Sequence, residues 1–162
     1  MFDATVSIKG LAGSASQIIR PGVALLDPAP ATFDEMLHGW ALQQRARQLK
    51  ATTVSMRTAV VRRFAEFTNE YPWSWTAADA EAFTTQTHTA AGIAVSTARG
   101  HQNALRMFME YLCDPRYSWS EVCAERFGTR PVQILHEWNS VVHSSPYEGS
   151  PGRRPLSYDE VQ

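Results

Sequence analysis

From Thr32 to Cys113 apolar residues recur every three or four positions, the spacing that gives an α-helix one core-facing side. Four main helices are predicted. The first starts at Thr32, where "TFDE" has capping-box spacing, and runs to about Leu49. The second runs from about Val54 to Glu70, with Thr52 or Thr53 as N-cap and Pro72 as its stop. The third is capped by Thr76 and reaches about Thr87; the fourth is capped by Ser96 and ends at Cys113, before Asp114 and Pro115. Shorter helices are predicted at "SWSEVCAERFG", with Ser118 and Glu121 as a capping box and Gly128 as the stop, and at "PVQILHEW". No segment alternates with a period of two, so the expected fold class is all-α: a compact bundle of four main helices plus one or two short C-terminal ones. Residues 1–30, rich in Gly, Ser and Pro, read as a flexible arm with one ordered patch at "QIIRPGVALL". Residues 31–138 form the helical domain and 139–162 begin as an extended linker. At its end Ser157 and Glu160 have capping-box spacing, announcing a helix that the chain stops short of completing at Gln162.

Placed at 100° intervals, the second and fourth helices each divide into two faces. Val54, Val61, Phe64, Ala65 and Phe67 share an apolar arc in the second, with Ser55, Thr58, Arg62 and Glu66 opposite. In the fourth, Ala98, Leu105, Phe108, Met109 and Leu112 form the buried side and Arg99, Gln102, Asn103 and Arg106 the exposed stripe. Arg57 falls within the apolar arc, where packing of its stem competes with any phosphate contact.

Charge sharpens this picture. The net charge is only −1, yet no acid occurs between Glu35 and Glu66, a stretch holding Arg45, Arg47, Lys50, Arg57, Arg62 and Arg63. A second acid-free window from Ala82 to Met109 contains Arg99 and Arg106. Segregation of this kind builds a basic face on a neutral protein. Helix N-termini accept phosphate, Arg donates in pairs to phosphate or guanine, and Asn, Gln and Ser contact bases or backbone. The candidate DNA contacts are therefore Lys50, Thr53, Ser55, Thr58 and Arg62 around the second helix, and Ser96, Thr97, Arg99, Gln102, Asn103 and Arg106 on the fourth. Composition alone leaves the solvated face of a helical bundle equally open.

Other chemistry is thin. No apolar run approaches the roughly 20 residues of a membrane span, and "MFDATVSIKG" does not open like a signal peptide. Cys113 and Cys123 make no disulfide framework and suit a reducing, cytoplasmic setting. Combined with His136 and His143 they match no common zinc spacing, so small core residues are the simpler reading and no metal or cofactor is expected. Trp73, Trp75, Trp119 and Trp138 are expected to cover the bundle and its loops.

Three stretches carry a family likeness. "TTVSMRTAVVRRFAEF" resembles the second helix of the core-binding domain of tyrosine recombinases, the phage integrase family, with Arg57 where that family usually has Tyr. "STARGHQNALRMFMEYL" is similar to the fourth helix, with Thr97, Leu105, Arg106, Phe108, Tyr111 and Leu112 in place. "RRPLSYDEVQ" looks like the junction into a catalytic domain. The likeness covers about residues 32–162, and it implies a SAM-like core-binding domain that grips double-stranded DNA. It also implies that the unfinished final helix belongs to a C-terminal catalytic domain absent from this chain. Family catalysis uses an Arg, a His-x-x-Arg pair and a Tyr nucleophile. The residues three positions after the histidines here are Ala41, Ala91, Ala104, Asn139 and Pro146, and Tyr147 and Tyr158 precede where such a domain would start. No catalytic residue is therefore expected in this chain. Four capped, amphipathic helices predict a folded monomer for this piece, and the resemblance further implies an oligomer of the full-length protein on DNA. A freestanding all-α DNA-binding regulator or protein-interaction module is the alternative.

Overall fold

A computed structural model describes residues 10–20, 22, 24–87 and 92–142. Among these residues six α-helices follow in order: α1 (Ala15–Ile18), α2 (Pro28–Ala46), α3 (Ala51–Thr68), α4 (Ala77–Thr85), α5 (Val95–Cys113) and α6 (Trp119–Phe127). Short 3-10 turns occupy Pro72–Ser74, Pro115–Tyr117 and Glu137–Asn139, and no strand occurs among the described residues. The fold is all-α. The carboxyl-terminal junction "RRPLSYDEVQ" lies outside the described residues.

Local chemistry explains most boundaries and several departures from expectation. α2 begins one turn before Thr32, because prolines are tolerated in a first helical turn where the N–H groups lack partners anyway. Thr32 is therefore no cap: it is buried inside the helix and its hydroxyl accepts a 2.6 Å hydrogen bond from Arg126. α3 starts after Lys50 without a side-chain cap and ends at Asn69, whose φ of 55° is left-handed. α4 is capped by Thr76 as expected, and Asp79 completes a reciprocal box, with the Thr76 hydroxyl accepting from Asp79 N and the Asp79 carboxylate from Thr76 N. In α5 the N-cap position belongs to Ala94, so Ser96 is an exposed first-turn residue and caps nothing. The Ser118–Glu121 box is also absent. Ser118 closes the preceding 3-10 turn in a left-handed conformation, which takes its side chain away from the start of α6. Gly128 does stop α6, at φ 78°.

The helix expected at "PVQILHEW" does not form. Pro131–Leu135 is irregular, and the Gln133 side chain accepts from the N–H groups of Ile134 and Leu135 while donating to the Arg106 carbonyl. This frees Ile134 and Leu135 to enter the core as neighbours, both almost fully buried. Apolar burial here outweighs a short helix, which is barely stable alone.

α3 packs most extensively on α5, and α2 lies against both. Between them sit Val60, Val61, Phe64, Leu105, Phe108 and Met109, sealed by Trp40, Trp75 and Phe83. Phe64 meets Trp75 and Phe83 edge-on at centroid distances of 4.6 and 5.2 Å. Trp73 stacks on Phe127 and Trp119 is fully buried, whereas Trp138 covers nothing in the core: it is 71% exposed and stacks on His136.

The reading of residues 1–30 as a flexible arm needs correction for its described part. Residues 10–19 fold back onto α2, with Ala15 and Ser14 buried. The Gly13 carbonyl accepts hydrogen bonds from the Tyr111 hydroxyl and from Trp119 Nε1, both buried. Glycine is required here twice over. Gly13 has φ +86°, and a Cβ added to it would come within 2.2 Å of the Gly39 carbonyl.

Candidate nucleic-acid interface

Antiparallel packing of α3 and α5 follows from who meets whom. Arg57 shares a depression with Met107 and Glu110, whereas Arg63, six residues further along α3, acts on His101, earlier in α5. The N-termini of α3 and α5 consequently lie at opposite ends of a shared groove, and neither has an acid in its first turn. The groove has a volume of about 650 Å³. Its lining comes from Thr53, Met56, Arg57, Ala59, Val60 and Arg63 of α3, and from Thr97, Gly100, His101, Asn103, Ala104, Arg106 and Met107 of α5. Three guanidiniums and an imidazole thus line it, and no carboxylate does.

Each cation is set differently. Arg57 is half-buried and donates a 3.0 Å hydrogen bond to the side chain of Gln44, itself buried. Burial, and then Arg47, push its pKa down, yet a guanidinium remains charged in a protein. Arg63 is exposed, with no ion pair among the described residues. Arg106 is half-buried and its Nη2 donates to Asn103 Oδ1, one helical turn away, so the two side chains hold each other at the groove edge. For His101, burial first and Arg63 second push the imidazole pKa below its ordinary value.

The expected DNA contacts do not all gather here. Thr53, Thr97, Asn103 and Arg106 line the groove. Lys50, Ser96 and Arg99 stand at the starts of α3 and α5, Lys50 and Ser96 exposed and Arg99 half-buried. Ser55, Thr58 and Arg62 face the other way, into a depression shared with α2, where Thr58 Oγ1 donates to the Val54 carbonyl and Arg62 pairs with Asp34 at 3.3 Å. Gln102 is a correction to the exposed stripe. It is 3% exposed, donates to Thr84 Oγ1 at 2.9 Å and accepts from Val141 N at 2.8 Å. Its position on the wheel borders the apolar arc, and what settles its role is the arrival of α4 and the 130–142 segment on that side.

Arg63 and His101 are groove residues that sequence reasoning missed. The signal was present: positions 53, 56, 57, 60 and 63 recur at three- and four-residue steps, as do 97, 100, 101, 104 and 107. Reading these as one stripe requires knowing that α3 and α5 pack side by side.

The family model for the phage integrase N-terminal SAM-like domain matches residues 36–119. The chain belongs to the phage integrase family. The match takes in α3, α4 and α5 whole, together with the groove that α3 and α5 form. An integrase N-terminal domain suggests a recombinase-related, DNA-binding role. No curated protein and no solved structure matches the chain. Among the described residues no helix is long and apolar enough to cross a membrane.

Proposed function

We propose that this integrase domain is the DNA-gripping module of a tyrosine recombinase, holding duplex DNA along the α3/α5 groove. Strand cleavage belongs to a separate catalytic domain, and the full-length protein assembles as an oligomer on DNA. The observation that carries the reading is the groove itself, with Arg57, Arg63 and Arg106 on one surface and no carboxylate in its lining. Arginine matches phosphate with paired donors, and a lining without carboxylates avoids the repulsion an acid would impose on a phosphodiester track. Lys50 and Arg99, at the two acid-free helix starts, extend the positive surface beyond the groove ends, where unpaired N–H groups also favour anions.

This grip is electrostatic. With about four to five phosphates neutralised, the log–log salt slope is about −4, and affinity lies in the non-specific range of roughly 10⁻⁴–10⁻⁶ M. Arg63→Ala and Arg106→Ala should each weaken duplex binding by about 1–3 kcal/mol and lower the slope by about one. Wild-type affinity in both variants at low salt would remove the reading. One observation favours a second: Met56, 65% exposed, lies with Met107 among apolar groove residues that suit a partner helix. A protein-interaction module of that kind would bind no duplex in the same titration.

A further inference from the structure

His101 stands apart from the other polar groups of the groove, because one of its ring nitrogens has no partner among the described residues. Nδ1 is enclosed and makes no hydrogen bond among the described residues, in a side chain that is otherwise half-buried and lines the groove. Its neighbours in the lining are cations, Arg57 and Arg63 from α3 and Arg106 from α5, and no carboxylate is among them.

We propose that His101 serves the groove as a neutral hydrogen-bond donor, presenting Nε2–H to a phosphodiester oxygen. The assignment rests on the DNA reading of the groove and adds to it a contact that carries no charge. The choice of tautomer follows from burial. A proton on Nδ1 would be an enclosed N–H with no acceptor, which folded proteins tolerate less readily than an enclosed lone pair. The neutral ring therefore keeps its proton on Nε2, leaving Nδ1 as a bare acceptor. An imidazolium needs protons on both nitrogens, so it would place the same orphan N–H inside and add a cation beside Arg63. Burial and the Arg63 charge, in that order, act in the same direction and hold the ring neutral. A neutral donor completes the coordination of an anion without adding to the repulsion among the guanidiniums.

The experiment uses the full 162-residue chain and a short DNA duplex. Long-range ¹H–¹⁵N spectra of the His101 ring near pH 7 should show the Nε2–H tautomer, free and bound. His101→Ala should bind about ten- to a hundredfold more weakly, the value of one hydrogen bond from a neutral donor to a charged acceptor, with the salt slope of the wild type. His101→Gln, which restores a neutral N–H donor, should recover most of that loss. An imidazolium in the bound spectra, or a salt slope that falls by about one in His101→Ala, would overturn the assignment. If Arg63→Ala and Arg106→Ala weaken binding and His101→Ala does not, this inference alone fails. If all three bind as the wild type does, the DNA reading fails with it.

Discussion

Arg62 and Arg63 are neighbours in sequence with opposite surroundings. Arg62 faces α2 and pairs with Asp34, both side chains more than half exposed, and such a pair contributes little to stability. Arg63 lies in the acid-free groove with no carboxylate in reach among the described residues. Arg62→Ala should therefore leave duplex affinity within about 0.5 kcal/mol of wild type, whereas Arg63→Ala should weaken it by about 1–3 kcal/mol. Parallel titration of the two variants checks this, and equal losses would mean the protein grips DNA on both sides of α3. Cysteine chemistry offers a second test. Cys123 is fully buried, and burial pushes its thiol up to about 12, so almost none is thiolate near neutrality. Alkylation followed by mass spectrometry should leave Cys123 unlabelled in the native chain and label it after unfolding. Fast native labelling would show that α6 opens readily.

Between elements, the 10–19 segment approaches α2 closely at Gly13 and Gly39. An added Cβ on Gly39 would meet the Tyr111 hydroxyl at 2.4 Å and the Gly13 carbonyl at 2.9 Å, both part of the hydrogen-bonded cluster that also holds Trp119. Gly39→Ala should therefore cost about 1–3 kcal/mol by overpacking, although alanine is the better helix former. Thermal unfolding measures the cost, and limited proteolysis should show cleavage within residues 10–19 appearing before any cut in α3 or α5. A variant as stable as wild type would mean that the segment contributes nothing to the bundle. The same logic of sidedness governs Gln102. Its amide bridges α4 through Thr84 and the late segment through Val141, so a side chain suited to reading bases serves instead as a cross-brace.

For the molecule taken together, stability and DNA affinity should vary separately. Phe64 and Phe108 are fully buried at the α2, α3 and α5 junction, and truncating either to Ala should lower stability by about 3–5 kcal/mol. That is a large part of the whole stability of a domain this size. Arg63 is exposed and lies outside this core, so Arg63→Ala should unfold close to the wild-type midpoint while losing duplex affinity. Calorimetry of Arg63→Ala beside Phe108→Ala makes the comparison, and a midpoint drop in Arg63→Ala as large as that in Phe108→Ala would place the guanidinium in the packing rather than the grip.

Helix type and number followed from a 3.6-residue apolar period that any partner would satisfy, which is why α2 to α5 were legible from the chain alone. All five residues expected on the buried side of α5 are buried, because apolar side chains on one face turn together toward the core, and Gln102, Ala104 and Tyr111 join them. Capping was less legible: the Thr76–Asp79 box formed, while the Thr32 hydroxyl went to Arg126 and Ser118 closed the preceding turn through its backbone. A cap is one hydrogen bond in strength, so a proline turn or a distant arginine redirects it. Which polar residues share a surface was beyond the sequence altogether. That depends on the side-by-side packing of α3 and α5, the arrival of the 130–142 segment over Gln102, and the turning of Ser55, Thr58 and Arg62 toward α2. Periodicity reports the angle of a residue around its own helix and says nothing of what stands opposite. Only the long-range packing of the bundle put Arg63, His101 and Arg106 around one groove.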